Sequence, residues 1–196
     1  MSIAIDRLYS FAFKGILTDT ALDKTERVKK SKVRDEQFRK IHETLGIDQI
    51  DENHVQMAQK MAIVYTAICA FENSVREFVS KKLLEVRGTN WWSLTVSEKV
   101  RQKAESRRTE EQKIRWHTPR GDALINYTEM GDLVSIIRSN ENWPEFEPHL
   151  NTIEWVESVL KTIERSRNVI MHSGELGNAD IERLGMNIRD WINQVG

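Results

Sequence analysis

Cysteine is nearly absent from this 196-residue chain: the one thiol, Cys69, lies in the apolar run 61–71, which excludes a disulfide framework. It reads as a buried, inert side chain in a reducing compartment. Three prolines and nine glycines are too few for an all-β fold or a linker-rich architecture. No apolar run nears the roughly 20 residues of a membrane span, and the longest, 61–71, is interrupted by Tyr65 and Thr66. Residues 1–14 begin with an acidic rather than basic flank and lack a small-residue cleavage site, so no signal peptide is expected and a cytoplasmic protein is. The histidines at 42, 54, 117, 149 and 172 form no i,i+4 pair and have no Cys or acidic set at ligand spacing, so neither a metal nor a cofactor is expected. A Walker phosphate loop, G-x-G-x-x-G and G-x-S-x-G are all missing. No serine or cysteine nucleophile presents itself.

What the chain has is helical period and charge. Lys and Arg number 29 against 30 Asp and Glu, a near balance that conceals local blocks. Apolar spacing predicts a short helix over 3–16 and, capped by Asp19, a basic helix over 20–45 with few apolar residues, read as a solvated face with RNA contact as the alternative. After a polar link with Asp51 as N-cap, one long helix should run from about 52 to 86 and stop at Gly88. Its middle, 62–79, is apolar on nearly every face, which predicts the central helix of a bundle. Glu72 inside it needs a partner, since an unpaired buried carboxylate costs several kcal/mol. Arg76 one turn on is the ordinary partner; Arg167 or His172 across a helix interface is the functional one.

Residues 97–115 read as a helical or partly disordered arm in which Arg107, Arg108, Lys113 and Arg115 belong to a basic set outnumbering four glutamates, followed by Trp116, His117 and Arg120. Cations interleaved with aromatics suit a phosphate backbone with unstacked bases, and a solvated charged helix is the plain alternative. Further helices are expected over 128–140 and 180–195, with Trp143-Pro144 as a turn. Between them Ile153, Trp155, Val156, Val159, Leu160 and Ile163 mark a buried helical face. That helix should run out near Gly174, where Arg165, Arg167, Asn168 and His172 gather arginine, amide and imidazole.

Arg167-Asn168 followed by His172, with four residues between Arg167 and His172, resembles the R-x4-6-H signature of the HEPN superfamily. Residues 71–79 are similar to the acidic helix that pairs with the signature helix in that family. Residues 127–133, Ile136-Ile137 and 143–146 resemble the middle of its Swt-type subgroup, named for a nuclear transcript-quality-control endoribonuclease. The resemblance spans about 51–194 and implies an all-α HEPN-like helical bundle over 51–196 with an N-terminal helical appendage over 1–50. It implies a metal-independent endoribonuclease that uses the 2′-hydroxyl of RNA as nucleophile and leaves 2′,3′-cyclic phosphate ends, acting as a toxin, antiphage effector or processing enzyme. Catalysis would rest on Arg167, Asn168, His172 and Glu72, and RNA contact on Arg107, Arg108, Lys113, Arg115 and Arg120. A homodimer and an antitoxin or regulatory protein complete the expected partners; a non-catalytic HEPN module for dimerisation and RNA, nucleotide or protein binding is the alternative. Residues five apart on a helix stand about 140° apart, so either the helix unwinds before His172 or Arg165, seven before it, is the catalytic arginine. Some HEPN toxins carry a modifiable tyrosine two residues after the histidine; Gly174 stands there instead.

Overall fold

The computed structural model describes residues 26–195 and Lys14; the expected helix over 3–16, Lys14 apart, and the Asp19 cap lie outside the described residues. Eight α-helices and no strand occur among the described residues: α1 (Glu26–Thr44), α2 (Glu52–Arg87), α3 (Trp91–Thr95), α4 (Glu98–Gln112), α5 (Met130–Arg138), α6 (Trp143–Phe146), α7 (Ile153–Met171) and α8 (Asn178–Val195). Two 3₁₀ turns, Ile47–Gln49 and Leu124–Tyr127, intervene. The chain divides into two compact units, residues 1–56 and 57–196, with the boundary inside α2.

In the first unit α1 stops where Gly46 turns left-handed, at φ 61°. From residue 35 onward most α1 side chains are exposed, including Phe38 and Ile41.

The second unit is built around α2. The Asp51 carboxylate accepts from Asn53 N at 2.9 Å, occupying one of the amide donors that a helix start leaves free. At the other end Gly88, at φ 69°, donates its N–H to Leu84 O at 2.9 Å and ends the helix. Met61, Val64, Ile68, Phe71, Val75, Val79 and Leu83 are buried, a single stripe at spacings of three and four. Each such side chain contributes about 1.5–3 kcal/mol by leaving water. The expectation of a helix buried on every face is corrected here, because Ala62, Ile63, Thr66, Ala67 and Ala70 are exposed. Alanine favours helix wherever it sits and bears exposure at little cost, so its presence widened the apparent apolar face without marking a buried one.

Thr152 caps α7 by accepting from Trp155 N at 3.1 Å, and Val156, Val159, Leu160 and Ile163 are buried as their spacing predicts. Helix α8 turns Ile181, Leu184, Ile188, Trp191 and Val195 inward, whereas Met186 and Ile192, expected in the same face, fall off the stripe and are more than half exposed. Trp191 ties three helices together: it meets Phe71 of α2 edge-on at 5.6 Å and stacks on Trp155 of α7 at 5.7 Å. This cluster and the α5–α7 packing fix where α7 delivers its last turn.

The basic arm is not disordered. Helix α4 is continuous, buries Val100 and Ala104, and packs on the Leu124–Tyr127 turn. Glu129 and Asp132 form a reciprocal capping box at the start of α5. Arg107 of α4 binds Asp132 Oδ2 at 2.9 Å, Glu129 Oε1 at 2.9 Å and Tyr127 O at 2.8 Å. Burial pushes the Asp132 carboxyl up, but hydrogen bonds from Arg107 and the Glu129 amide, with Lys103 nearby, hold it below its ordinary value.

Candidate active site

The signature helix ends in a motif that presents His172. The last helical residue is Met171; His172 is the cap, at φ −97° and ψ 24°, and Ser173 is left-handed at φ 59°. Ser173 N donates to Ile170 O at 2.9 Å and Gly174 N to Val169 O at 2.8 Å, the paired return bonds of a Schellman ending. Serine rather than glycine occupies the left-handed position, a local strain of the kind found where geometry serves a site. Gly174 is required for a different reason: a Cβ there would lie 2.8 Å from Val169 O and 2.7 Å from its Cγ1. The sequence placed the break at Gly174, whereas the chain turns one residue earlier.

Arg167 points back toward α2. Its Nε lies 3.8 Å from Glu72 Oε2, and the other Glu72 oxygen is bound by Arg76 Nη2. Both of the partners expected for Glu72 are therefore arginines, one from its own helix and one from α7. Arg76 Nη2 also donates to Thr128 O at 3.0 Å, and Arg76 Nη1 to Asn73 Oδ1 at 3.2 Å. The Glu72 side chain is 8 % exposed and that of Arg167 28 %, so the carboxylate is sheltered while the guanidinium keeps an open side. A buried carboxylate set between two arginines orients both.

Two residues that the sequence reading did not place here belong to this ridge. Tyr65, Cys69, Glu72 and Arg76 follow one another at i,i+4 and i,i+3 spacing along α2, and Cys69 is half-buried rather than enclosed. Hydrogen bonding with the Cys69 thiol, then burial, raises the Tyr65 hydroxyl above its ordinary value, while the Arg167 charge pulls it down. Counting back from Glu72 by helical turns would have found both.

The candidate site is not closed on itself. His172 and Asn168 are exposed, and no hydrogen bond joins either side chain to Arg167. Arg165 is exposed and has no ion pair among the described residues, whereas Arg167 faces Glu72. Of the two ways around the 140° separation, the helix does end at His172, yet the imidazole remains outside the Glu72–Arg167 cluster. Among the described residues no three His, Cys, Asp or Glu side chains gather as a metal site, and no helix is long and apolar enough to cross a membrane.

The expected RNA contacts divide. Arg107 is committed to Asp132 and Glu129, Arg108 pairs with Glu105 at 2.5 Å, Lys113 with Glu110 at 2.6 Å and Arg120 with Glu111 at 2.5 Å. Arg115 has no such partner among the described residues and is exposed.

An all-helical unit whose penultimate long helix ends in Arg-Asn-x3-His, with the arginine held by an acidic side chain on a facing helix, defines a HEPN-type domain. The model of the Swt1-like HEPN family matches residues 67–196, two thirds of the chain, and this protein belongs to that family. No curated protein and no solved structure matches it.

Proposed function

We propose that this HEPN domain is a metal-independent endoribonuclease. The family is often associated with ribonuclease activity, and the arrangement that carries the reading is Arg167 anchored on buried Glu72 in the same last turns of α7 that end at an exposed His172. RNA brings its own nucleophile, so the protein must supply a base for the 2′-hydroxyl, positive charge for the phosphorane and an acid for the departing 5′-oxygen. His172 does the proton work, since imidazole titrates near neutrality and such transfer is worth about 10²–10⁴ in rate. Arg167 meets the equatorial phosphoryl oxygens with its open side, and Asn168 orients the phosphate. Glu72 touches no substrate; it holds Arg167 in place.

Because His172 and Arg167 do not meet within one chain, the reading includes a homodimer in which two signature helices share a cleft. A biological role as toxin, antiphage effector or processing enzyme, with an antitoxin or regulator as partner, is the wider form of the proposal. The second reading, a non-catalytic binding module, is favoured by one observation: Arg167 is already engaged by Glu72. The test is incubation of the purified chain with single-stranded and structured RNA in EDTA. Cleavage that His172→Ala abolishes supports the enzyme; RNA binding without cleavage supports the module.

A further inference from the structure

The loop after α4 carries a feature the proposed chemistry does not use. Trp116 is 86 % exposed, the most exposed large apolar side chain among the described residues. An indole left in water forgoes the gain of burial, and this one stands in a loop whose shape and charge are set by its neighbours.

The loop is nevertheless held in shape. Its far end is clamped to α4 by Arg120, whose Nε meets Glu111 Oε1 at 2.5 Å and whose N–H donates to Glu111 Oε2 at 3.2 Å. Asn126 Nδ2 donates to Arg120 O at 3.1 Å, and the Tyr127 hydroxyl donates to Gly121 O at 3.0 Å. The Arg120 guanidinium also lies over the Tyr127 ring, 5.8 Å from its centroid. At the near end His117 N donates to Ile114 O at 3.2 Å, and the His117 ring stands edge-on to Trp116 at 5.8 Å. A braced loop therefore presents one aromatic face.

Charge selects the occupant. Residues 113–120 contain three cations, one histidine and no carboxylate. Lys113 and Arg120 are paired to α4 glutamates, which leaves Arg115, next to Trp116 in sequence, as the cation of this loop with no ion-pair partner among the described residues. An exposed indole and an exposed arginine on consecutive loop residues suit one nucleotide of a single strand, the base stacking on the ring and its phosphate meeting the arginine. A duplex keeps its bases stacked and offers the ring no face. We infer that the Trp116 loop is a base-stacking platform for single-stranded RNA, with Arg115 as its phosphate contact. This rests on the RNA reading above and narrows it, since the basic arm then acts through its loop and not through the α4 arginines.

The experiment uses the full chain carrying His172→Ala, so that the probe is not cut, and follows its affinity for a fluorescent single-stranded oligoribonucleotide and for a duplex of equal length. Trp116→Ala is expected to weaken single-strand binding on the order of tenfold, with duplex binding unchanged and with Trp116→Phe retaining most of the affinity. Arg115→Ala should flatten the salt dependence by about 0.7 in slope. If Trp116→Ala binds the single strand as well as its parent does, the platform is overturned while the RNA reading stands. If the parent binds neither probe, both fall. If Trp116→Ala leaves RNA affinity unchanged but alters the oligomer by light scattering, the ring is a protein contact and the platform is overturned.

Discussion

Glu72 is the residue on which the site turns. A carboxylate at the core face of α2 is costly alone, and it is made tolerable by Arg76 below it and Arg167 across from it. The same pairing holds the Arg167 guanidinium at one end of the cluster with its other side open to solvent. This separates two arginines that the sequence could not tell apart: Arg167 is held, whereas Arg165 is exposed and unpaired among the described residues. Arg167→Ala should therefore lower RNA cleavage on the order of 10² in kcat with substrate affinity within a few-fold, while Arg165→Ala should leave kcat nearly unchanged. Single-turnover kinetics on the two variants checks the order, and the reverse order would move the phosphate-stabilising role to Arg165. Arg167→Ala should also reduce stability modestly, because it leaves Glu72 with one arginine; a thermal melt reads that effect separately from the rate.

At the scale of elements, the ending of α7 controls the imidazole. His172 is the cap, and its position follows from the left-handed Ser173 and the close approach of Gly174 to Val169 O. Gly174→Ala places a methyl within 2.8 Å of that carbonyl, so the return bonds must open or the last turn must shift. The expected cost is about 1–3 kcal/mol of stability. Activity should fall further than the folded fraction alone explains, measured as specific activity at a temperature where the variant remains folded. Full activity together with a wild-type melt would show that the Schellman ending does not position His172.

Helices with a narrow apolar stripe were legible in the sequence: α7 from Val156 to Ile163, and α8 through Leu184 and Trp191. Alanine and isolated large residues blurred the others. Ala62, Ala67 and Ala70 made α2 read as buried all round, and Met186 and Ile192 enlarged the apparent face of α8. Helix α4 was the hardest, since only Val100 and Ala104 are buried in fifteen residues and the rest of its order comes from ion pairs to α5 that no local pattern reveals. The carboxylate partner of Arg167 was legible as a need, because a core glutamate must be paired. The Tyr65 and Cys69 steps of the ridge were not, because an apolar run hides a polar face spaced by helical turns.

For the whole molecule, the helices that carry the site also carry exposed apolar side chains. Ile63 on α2 is 76 % exposed and Met171 on α7 56 %, and Val169 is exposed between Arg167 and His172. A dimer that buries these residues would bring a second signature helix to the same place and supply the closure that one chain lacks. Light scattering at micromolar concentration is expected to give twice the chain mass, and Met171→Glu to shift it toward the monomer with loss of cleavage. A monomeric wild-type chain that still cuts RNA would show that one copy completes the site.

The proposed chemistry has His172 and Arg167 cut RNA through its own 2′-hydroxyl. The most direct measurement is the chemistry of the ends produced when the full chain is incubated with RNA in EDTA. The account predicts 2′,3′-cyclic phosphate and 5′-hydroxyl ends, with their yield reduced on the order of 10² or more by His172→Ala at RNA affinity within a few-fold of wild type. Products with 3′-hydroxyl and 5′-phosphate ends, or unchanged cleavage by a folded His172→Ala chain, would contradict it.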